Sequence, residues 1–133
     1  MNIFSRLFVV MFVTGLTGIS YENPVGQVAS SEDIEGVVHR GANFLAPENT
    51  LSSARAALTY GAEWIELDVR KSKDGVLYNL HDETLDRTTD GHGPIHLVAS
   101  SEIDQLDAGS WFSPSFRGLK VPRFETMLDS LKG

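Results

Sequence analysis

The chain has 133 residues, 41% of them hydrophobic and 22% charged, which excludes the disordered class and allows one domain at most. Its 18 acidic residues outnumber 11 basic ones, the net charge is −7, and no Lys/Arg cluster exists that would bind a nucleic-acid backbone. Because cysteine is absent, a disulfide framework, a thiolate metal site and a cysteine nucleophile are all excluded.

The first 20 residues are typical of an export signal peptide. Arg6 is their only charge, and the apolar stretch from Leu7 to Ile19 is shorter than the ~18 residues that span a bilayer core. A buried strand or helix of the domain is the alternative for this stretch. We predict a signal peptide at 1–20 cleaved after Ser20, a polar linker at 21–35, no stable membrane span, and a secreted, periplasmic or cell-envelope location.

Residues 36–62 predict a buried strand followed by a helix. A short apolar run over 36–41 is closed by a glycine, which is typical of a buried strand. Apolar residues then recur at helical spacing over about 50–60, Asn49 or Thr50 can cap the first turn, and Gly61 stands where a helix would stop.

Residues 64–81 predict two strands. The stretch 64–70 alternates with period two, so Ile65, Leu67 and Val69 share one face and Glu66, Asp68 and Arg70 the other. A turn at 73–75 precedes the second strand, Val76–His81. If Asp74-Gly75 forms a two-residue hairpin turn, Asp68 lies opposite His81, with Glu66 on the same face.

The remaining chain predicts a long connection and a final helix. Residues 84–120 are rich in Gly, Ser, Thr and Pro, with one short helical piece at about 101–106, and so long a connection is typical of a functional lid. Phe124, Met127, Leu128 and Leu131 then follow helical spacing behind Pro122. The whole order indicates an α/β fold.

Three short segments carry the chemistry: His39-Arg40, Glu66-x-Asp68 and His81-Asp82. Each alone is more often structural, as a strand-end histidine or a wet strand face. Together they gather two carboxylates and an imidazole. Because the carboxylates would repel one another, a hard cation, Mg²⁺ or Ca²⁺, is the expected counterion, and Zn²⁺ is less suited.

The sequence resembles the glycerophosphodiester phosphodiesterase family, a branch of the phospholipase-C-like phosphodiesterases. The resemblance covers about residues 36–131, in the family's order and spacing. The matching segments are His39-Arg40-Gly41, Pro47-Glu48-Asn49-Thr50, Ile65-Glu66-Leu67-Asp68-Val69, Lys73-Asp74-Gly75, His81-Asp82, Leu85-Asp86-Arg87-Thr88-Thr89 with Gly91, and Val121-Pro122 with Phe124-Glu125.

The resemblance implies the N-terminal portion of a (β/α)₈ TIM-type barrel, about three of eight strands, over residues 36–133. His39 would then close the first strand, Glu66 and Asp68 the second, and His81 a parallel third. All would lie on the carboxyl-end rim that carries barrel active sites. This arrangement conflicts in part with the hairpin, since residues 69–73 would run back down as an extended connection, and we favour the barrel.

The resemblance also implies a metal-assisted cleavage of glycerophosphodiesters to glycerol 3-phosphate and an alcohol. Glu66 and Asp68 would hold Ca²⁺ or Mg²⁺, and His39 and His81 would share the acid and base roles. Arg40 would bind the phosphate. Glu48 and Asn49 would line the site, or serve only at the helix N-terminus.

The sequence is also compatible with other functions. The same site could act on lysophospholipids, or the chain could be a non-catalytic remnant or binding fragment. The family's third metal-binding carboxylate, from a later strand, has no match in this sequence. We therefore expect weak or no activity from the 133 residues alone, and an unpaired sheet edge that favours aggregation.

Overall fold

The structure, a computed structural model, describes residues 36–132. The predicted signal peptide at 1–20 and linker at 21–35 lie outside the described residues. Strand β1 (Val37–His39) and strand β2 (Trp64–Glu66) pair in parallel, with His39 opposite Glu66. Helix α1 (Leu51–Thr59) connects the two strands. This strand–helix–strand unit agrees with the α/β prediction and with the predicted helix.

Helix α1 begins where its sequence provides a cap. Thr50 Oγ1 accepts a hydrogen bond from the Ser53 amide, and Ser53 Oγ accepts one from the Thr50 amide, each at 3.2 Å. Of the two predicted caps, Thr50 is therefore the one used. Ala54 and Ala57 turn inward and pack with Ile65, Leu67 and Met127 in a buried cluster.

The predicted continuous strand over 64–70 is wrong, because the strand breaks at Leu67-Asp68. The Asp68 amide donates to Asn49 Oδ1 at 3.0 Å, and its carbonyl accepts from the Asn79 side chain at 3.1 Å. Because the Asp68 amide and carbonyl are bonded to Asn49 and Asn79 and not to β1, the β1–β2 ladder ends at Glu66. Ile65 and Leu67 are buried as predicted, whereas Val69 is only half-buried and starts a second sheet.

The second sheet is an antiparallel pair of strands, β3 (Val69–Lys71) and β4 (Leu77–Asn79). The predicted hairpin therefore exists, but its register is wrong by one residue. Ser72 N donates to Val76 O at 2.9 Å, so the turn has three residues, 73–75, instead of two. Val69 pairs with Asn79.

The register change moves the predicted partner of Asp68. Its carbonyl accepts a hydrogen bond from Leu80 N at 3.2 Å, so Asp68 lies opposite Leu80 rather than His81. Residues 69–71, part of the extended connection 69–73 expected for the barrel, are extended and form β3. Within the described residues, however, β4 pairs with β3 and not as a parallel neighbour of β2, and His81 follows β4 instead of ending a parallel strand.

The long segment 84–120 shares a buried core with β4 and the residues next to it. It contains two 3₁₀ turns, Ile95–Leu97 and Pro114–Phe116, and the short helix α2 (Ser100–Ile103), near the predicted helical piece. The buried side chains of this core are Tyr78, Leu80, Leu85, Ile95, Ile103, Ala108 and Val121. The segment is thus packed against β4 rather than lying as a plain connection.

Helix α3 (Phe124–Leu131) follows the predicted spacing behind Pro122. Its Met127 is buried against the α1 side of the molecule, and Leu131 packs at the border of the same cluster. Within residues 36–132, no helix is long and apolar enough to cross a membrane.

Candidate active site

The site begins where β1 ends, at a backbone turn that aims two groups at β2. Arg40 and Gly41 have φ values of 58° and 73°, a left-handed conformation that reverses the chain after His39. The Arg40 amide consequently donates to Glu66 Oε2 at 3.1 Å. Gly41 lies directly against Ser53 of α1, where a Cβ atom would meet Ser53 Oγ at 2.6 Å. The turn is therefore fixed by close packing.

Glu66 is held beside His39 at the carboxyl end of the parallel pair. Its side chain is 11% exposed, while that of His39 is 64% exposed, and His39 Nε2 lies 3.8 Å from Glu66 Oε2. Glu66 is buried, which does not fit the alternative of a solvent-exposed strand face, and the Arg40 amide gives it a partner. His39 is left open to solvent, where it can meet a ligand.

Asp68 is bound on several sides because it lies at the strand break. Asn49 Nδ2 donates to Asp68 Oδ2 at 2.9 Å while Asn49 Oδ1 accepts from the Asp68 amide. Arg40 Nε lies 3.4 Å from Asp68 Oδ2 as an ion pair, although it has no hydrogen-bond partner among the described residues. Asn49 is buried, with φ 56°, and holds the strand break in place.

Glu48 joins two arginines. Its Oε1 accepts from Arg40 Nη1 at 3.1 Å and from Arg87 Nη2 at 2.8 Å, and its Oε2 accepts from Arg87 Nη1 at 2.8 Å. Hydrogen bonds from Arg87, followed by the nearby charges of Arg87 and Arg40, hold the pKa of Glu48 below its usual range despite some burial. Glu48 therefore stays ionised, which stabilises the position of Arg40.

His81 lies at the far end of the same network. Its Nδ1 is 2.6 Å from Asp82 Oδ1, and Arg87 donates through Nε to Asp82 Oδ2 at 2.7 Å. The His81 carbonyl accepts two hydrogen bonds from Arg70. Within residues 36–132, the His81 ring makes no hydrogen bond or ion pair with Glu66 or Asp68, and reaches them only through Asp82, Arg87, Glu48 and Arg40.

The structure thus connects the seven residues singled out from the sequence in one polar network: His39, Arg40, Glu48, Asn49, Glu66, Asp68 and His81. Sequence reasoning assigned no role to Asp82, Arg87 or Asn79. Asp82 is the neighbour of His81, and Arg87 lies in a matching segment, but their contacts depend on a fold that brings together residues 39 positions apart.

The donors suit a hard cation only in part. Within the described residues, no group of three or more His, Asp or Glu side chains is arranged to hold a metal ion. Glu66 and Asp68 supply carboxylate oxygens, the chemistry that Ca²⁺ and Mg²⁺ prefer. Arg40 already contacts both residues, by its amide and its guanidinium. The pair can hold such an ion only with further oxygens from water or other residues.

The sequence matches the model of the glycerophosphoryl diester phosphodiesterase family over residues 39–133. A glycerophosphodiester phosphodiesterase of Bacillus subtilis is 44% identical over 112 residues, which are 78% of this chain and 38% of that protein. The human glycerophosphodiester phosphodiesterase 1 is 35% identical over 101 residues, 76% of this chain and 30% of the relative.

Solved structures agree. A glycerophosphodiester phosphodiesterase from Agrobacterium tumefaciens superposes with a TM-score of 0.71 at 58% identity, over 74% of this chain and 43% of that one. An Oleispira antarctica phosphodiesterase in complex with its product sn-glycerol-3-phosphate gives 0.70 at 39% identity, over 73% of this chain and 39% of that one. These similarities confirm the predicted fold class, the N-terminal portion of a (β/α)₈ barrel. The chain spans well under half the length of these relatives.

Proposed function

The chain belongs to the glycerophosphoryl diester phosphodiesterase family, and we propose that it carries the first part of an active site that hydrolyses glycerophosphodiesters to glycerol 3-phosphate and an alcohol. The observation that carries the proposal is the single network that joins His39 at the end of β1 to His81 after β4 through two arginines and four carboxylates. The product named for the Oleispira antarctica relative supports the substrate class.

Arg40 suits the phosphate. Its guanidinium is fixed by Glu48 and stands beside Asp68, and its side chain is 18% exposed, so an arriving anion meets a charge already oriented. Planar guanidinium groups bind phosphate oxygens with charge-assisted hydrogen bonds. We assign phosphate binding to Arg40, with Glu48 and Asn49 supporting its surroundings.

His39 and His81 suit proton transfer. Both imidazoles are accessible, with side-chain exposures of 64% and 41%, and imidazole is the side chain that exchanges protons most readily near neutral pH. In the proposed hydrolysis, one histidine removes a proton from the hydroxyl of an attacking water molecule as its oxygen bonds to phosphorus. The other gives a proton to the alcohol oxygen as the bond from that oxygen to phosphorus breaks.

Glu66 and Asp68 would hold the divalent cation, Ca²⁺ or Mg²⁺. When bound, such an ion would polarise a phosphate oxygen and make a nearby hydroxyl more acidic. Its other ligands would be water or further residues, since these two carboxylates cannot by themselves fill the six or more positions that either ion seeks.

The proposal is tested first by binding, which does not require a complete barrel. We expect glycerol 3-phosphate, titrated into ¹⁵N-labelled chain, to shift the amide signals around His39 and Arg40. In Arg40→Gln the affinity should fall about tenfold or more, since a hydrogen bond to a charged group contributes about 1.5–3 kcal/mol. Arg55→Gln, at an exposed position of α1, is the matched control and should bind as the unmodified chain does.

Activity is then measured as release of glycerol 3-phosphate from glycerophosphocholine, with Ca²⁺, with Mg²⁺ and with a chelator. We expect at most slow release from this chain, lost with the chelator and in His39→Ala. The assignment would be contradicted if glycerol 3-phosphate shifted the same amide signals with equal affinity in Arg40→Gln. Release of glycerol 3-phosphate that persists in His39→Ala would also contradict it. Binding without any release would identify a binding fragment.

We also propose that the chain is exported and cleaved after Ser20, on the charge and apolar pattern of residues 1–20. Mass spectrometry of the chain recovered from an envelope or secreted fraction should find Tyr21 as its first residue. Material from that fraction that retains Met1 would contradict cleavage.

A further inference from the structure

Arg87 holds two carboxylates at once with two-pronged hydrogen bonds. It donates to Asp82 through Nε at 2.7 Å and Nη2 at 3.0 Å. It also donates to both oxygens of Glu48, through Nη1 and Nη2, each at 2.8 Å. Such paired contacts fix direction as well as distance, because the guanidinium is planar and its N–H groups cannot turn independently.

The carboxylate of Asp82 is in turn bound to His81. Its Oδ1 lies 2.6 Å from Nδ1 of the ring. Hydrogen bonds from Arg87, with a smaller contribution from His81, hold the pKa of Asp82 well below its usual range. An ionised carboxylate only accepts hydrogen bonds, so Nδ1 must carry the proton. In the neutral ring Nε2 is then unprotonated and can accept a proton from a ligand.

We propose that Arg87 is a positioning residue for His81. Its guanidinium, bound to Glu48, holds the Asp82 carboxylate against the ring. The ring is thereby kept in the Nδ1–H form, with Nε2 as the atom that exchanges protons. The catalytic use of the Nδ1–H form rests on the proposed function, whereas its presence in the folded chain does not. It adds a role for Asp82 and Arg87 that the sequence motifs do not state.

If Arg87 had a purely structural role, its removal would lower the stability of the fold and leave the protonation of the His81 ring unchanged. The positioning role predicts the reverse. The Arg87 side chain is 43% exposed, and exposed ion pairs contribute little to stability, because water screens them and the side chains lose freedom. Removing Arg87 should therefore leave the fold in place. Its effect should be found in the protonation pattern of one ring, which burial or packing elsewhere would not change.

The experiment reads that ring directly. The chain has 4 histidines, so long-range ¹H–¹⁵N spectra of ¹⁵N-histidine-labelled protein can distinguish each ring nitrogen. Spectra are recorded at about pH 8, above the ordinary imidazole range. The variants are Asp82→Asn, Arg87→Gln and Arg87→Lys. Arg117→Gln is the control, since Arg117 is an exposed arginine of the same segment without an ion pair among the described residues.

We expect His81 to be mainly Nδ1–H in the unmodified chain and in Arg117→Gln. Asp82→Asn should convert it mainly to Nε2–H, because an amide can donate to Nδ1, as a carboxylate cannot. Arg87→Gln should lower the fraction of His81 rings in the Nδ1–H form so that this form no longer dominates. Arg87→Lys should recover part of that fraction, because lysine restores the charge but not the paired hydrogen bonds of the guanidinium. Glu48→Gln should shift the same population in the same direction.

Three results would overturn the inference. The first is a His81 ring that is mainly Nε2–H in the unmodified chain, and the second is an unchanged His81 ring in a folded Arg87→Gln. The third is a His81 ring unaffected by Glu48→Gln, which would show that Glu48 does not hold Arg87 in place. The measurement needs neither substrate nor metal. A failed glycerol 3-phosphate titration would therefore leave this inference standing, and a failed ring measurement would leave the hydrolase proposal standing.

Discussion

The strand–helix–strand unit at residues 37–66 and the segment at residues 77–121 are stabilised in different ways. The first unit has a parallel backbone ladder and a helix whose small side chains pack closely on it. The second has little regular structure, and its turns are closed by the carboxylates of Asp86, Asp90 and Asp107, which accept backbone hydrogen bonds. We therefore expect the stability of the first unit to depend mainly on close packing. The stability of the second should depend on the protonation of its side chains.

The largest effect is expected at the close packing of the first unit. Gly41→Ala adds a Cβ that would lie 2.6 Å from Ser53 Oγ and 2.8 Å from Ser53 C, on a backbone with φ 73°. Left-handed strain and overpacking together should lower the free energy of unfolding by about 2 to 5 kcal/mol. Urea unfolding followed by circular dichroism measures it.

Gly61→Ala is the matched control for that substitution. Gly61 has φ 84°, but nothing lies within 4 Å of its added Cβ, so strain alone should cost about 1 to 2 kcal/mol. An equal decrease in the free energy of unfolding for both substitutions would show that the contact of Gly41 with α1 does not control the stability of the first unit.

An intermediate effect is expected in the second region, at Tyr78. Its hydroxyl is buried and donates to Asp104 Oδ1 at 2.7 Å, with the Ser100 carbonyl at 3.1 Å. Tyr78→Phe should lower the free energy of unfolding by about 1 to 2 kcal/mol, since Asp104 and Ser100 lose a buried donor. Tyr60→Phe, at a residue 79% exposed, should change it little.

The same substitution predicts a pH dependence. Burial, assisted by the hydrogen bond to Asp104, raises the pKa of Tyr78 to about 12. The unfolded state therefore loses this proton first, and the contribution is fully present below about pH 10 and lost as the pH rises through about 12. Urea midpoints of the two proteins should converge over that range. A constant gap would contradict the raised pKa.

The smallest effect is expected at Asp107, which closes the turn before the second 3₁₀ turn. Its carboxylate accepts from the amides of Gly109, Ser110 and Gly118, and these hydrogen bonds hold its pKa well below the usual range. Its stabilisation is present above about pH 4 and lost as the pH falls through the lowered pKa.

Asp107→Asn should therefore destabilise the chain modestly at neutral pH, and the difference from the unmodified chain should shrink in acid. Thermal melts from about pH 7 to about pH 2 measure this. Glu102→Gln, at an exposed position of α2, is the control and should melt as the unmodified chain does. A difference that stays constant into acid would show that the second region does not depend on this charge.

The sequence by itself determined the elements whose signals are local. Helical spacing and a cap at Asn49 or Thr50 predicted α1, helical spacing predicted α3, and alternation predicted the burial of Ile65 and Leu67. These features depend on neighbours a few positions apart, which a sequence displays directly. The motif segments likewise identified the family, which the comparisons confirmed.

Only the tertiary structure decided the strand break at Asp68, the register of the hairpin and the contacts of Arg87. The break depends on Asn49, 19 positions earlier, and the bridge from Arg87 to Glu48 spans 39 positions. The register depends on Ser72 pairing with Val76, which lengthens the turn. Side-chain hydrogen bonds between distant residues compete with the backbone ladder, and which of them forms depends on the folded chain, since period and propensity do not encode it.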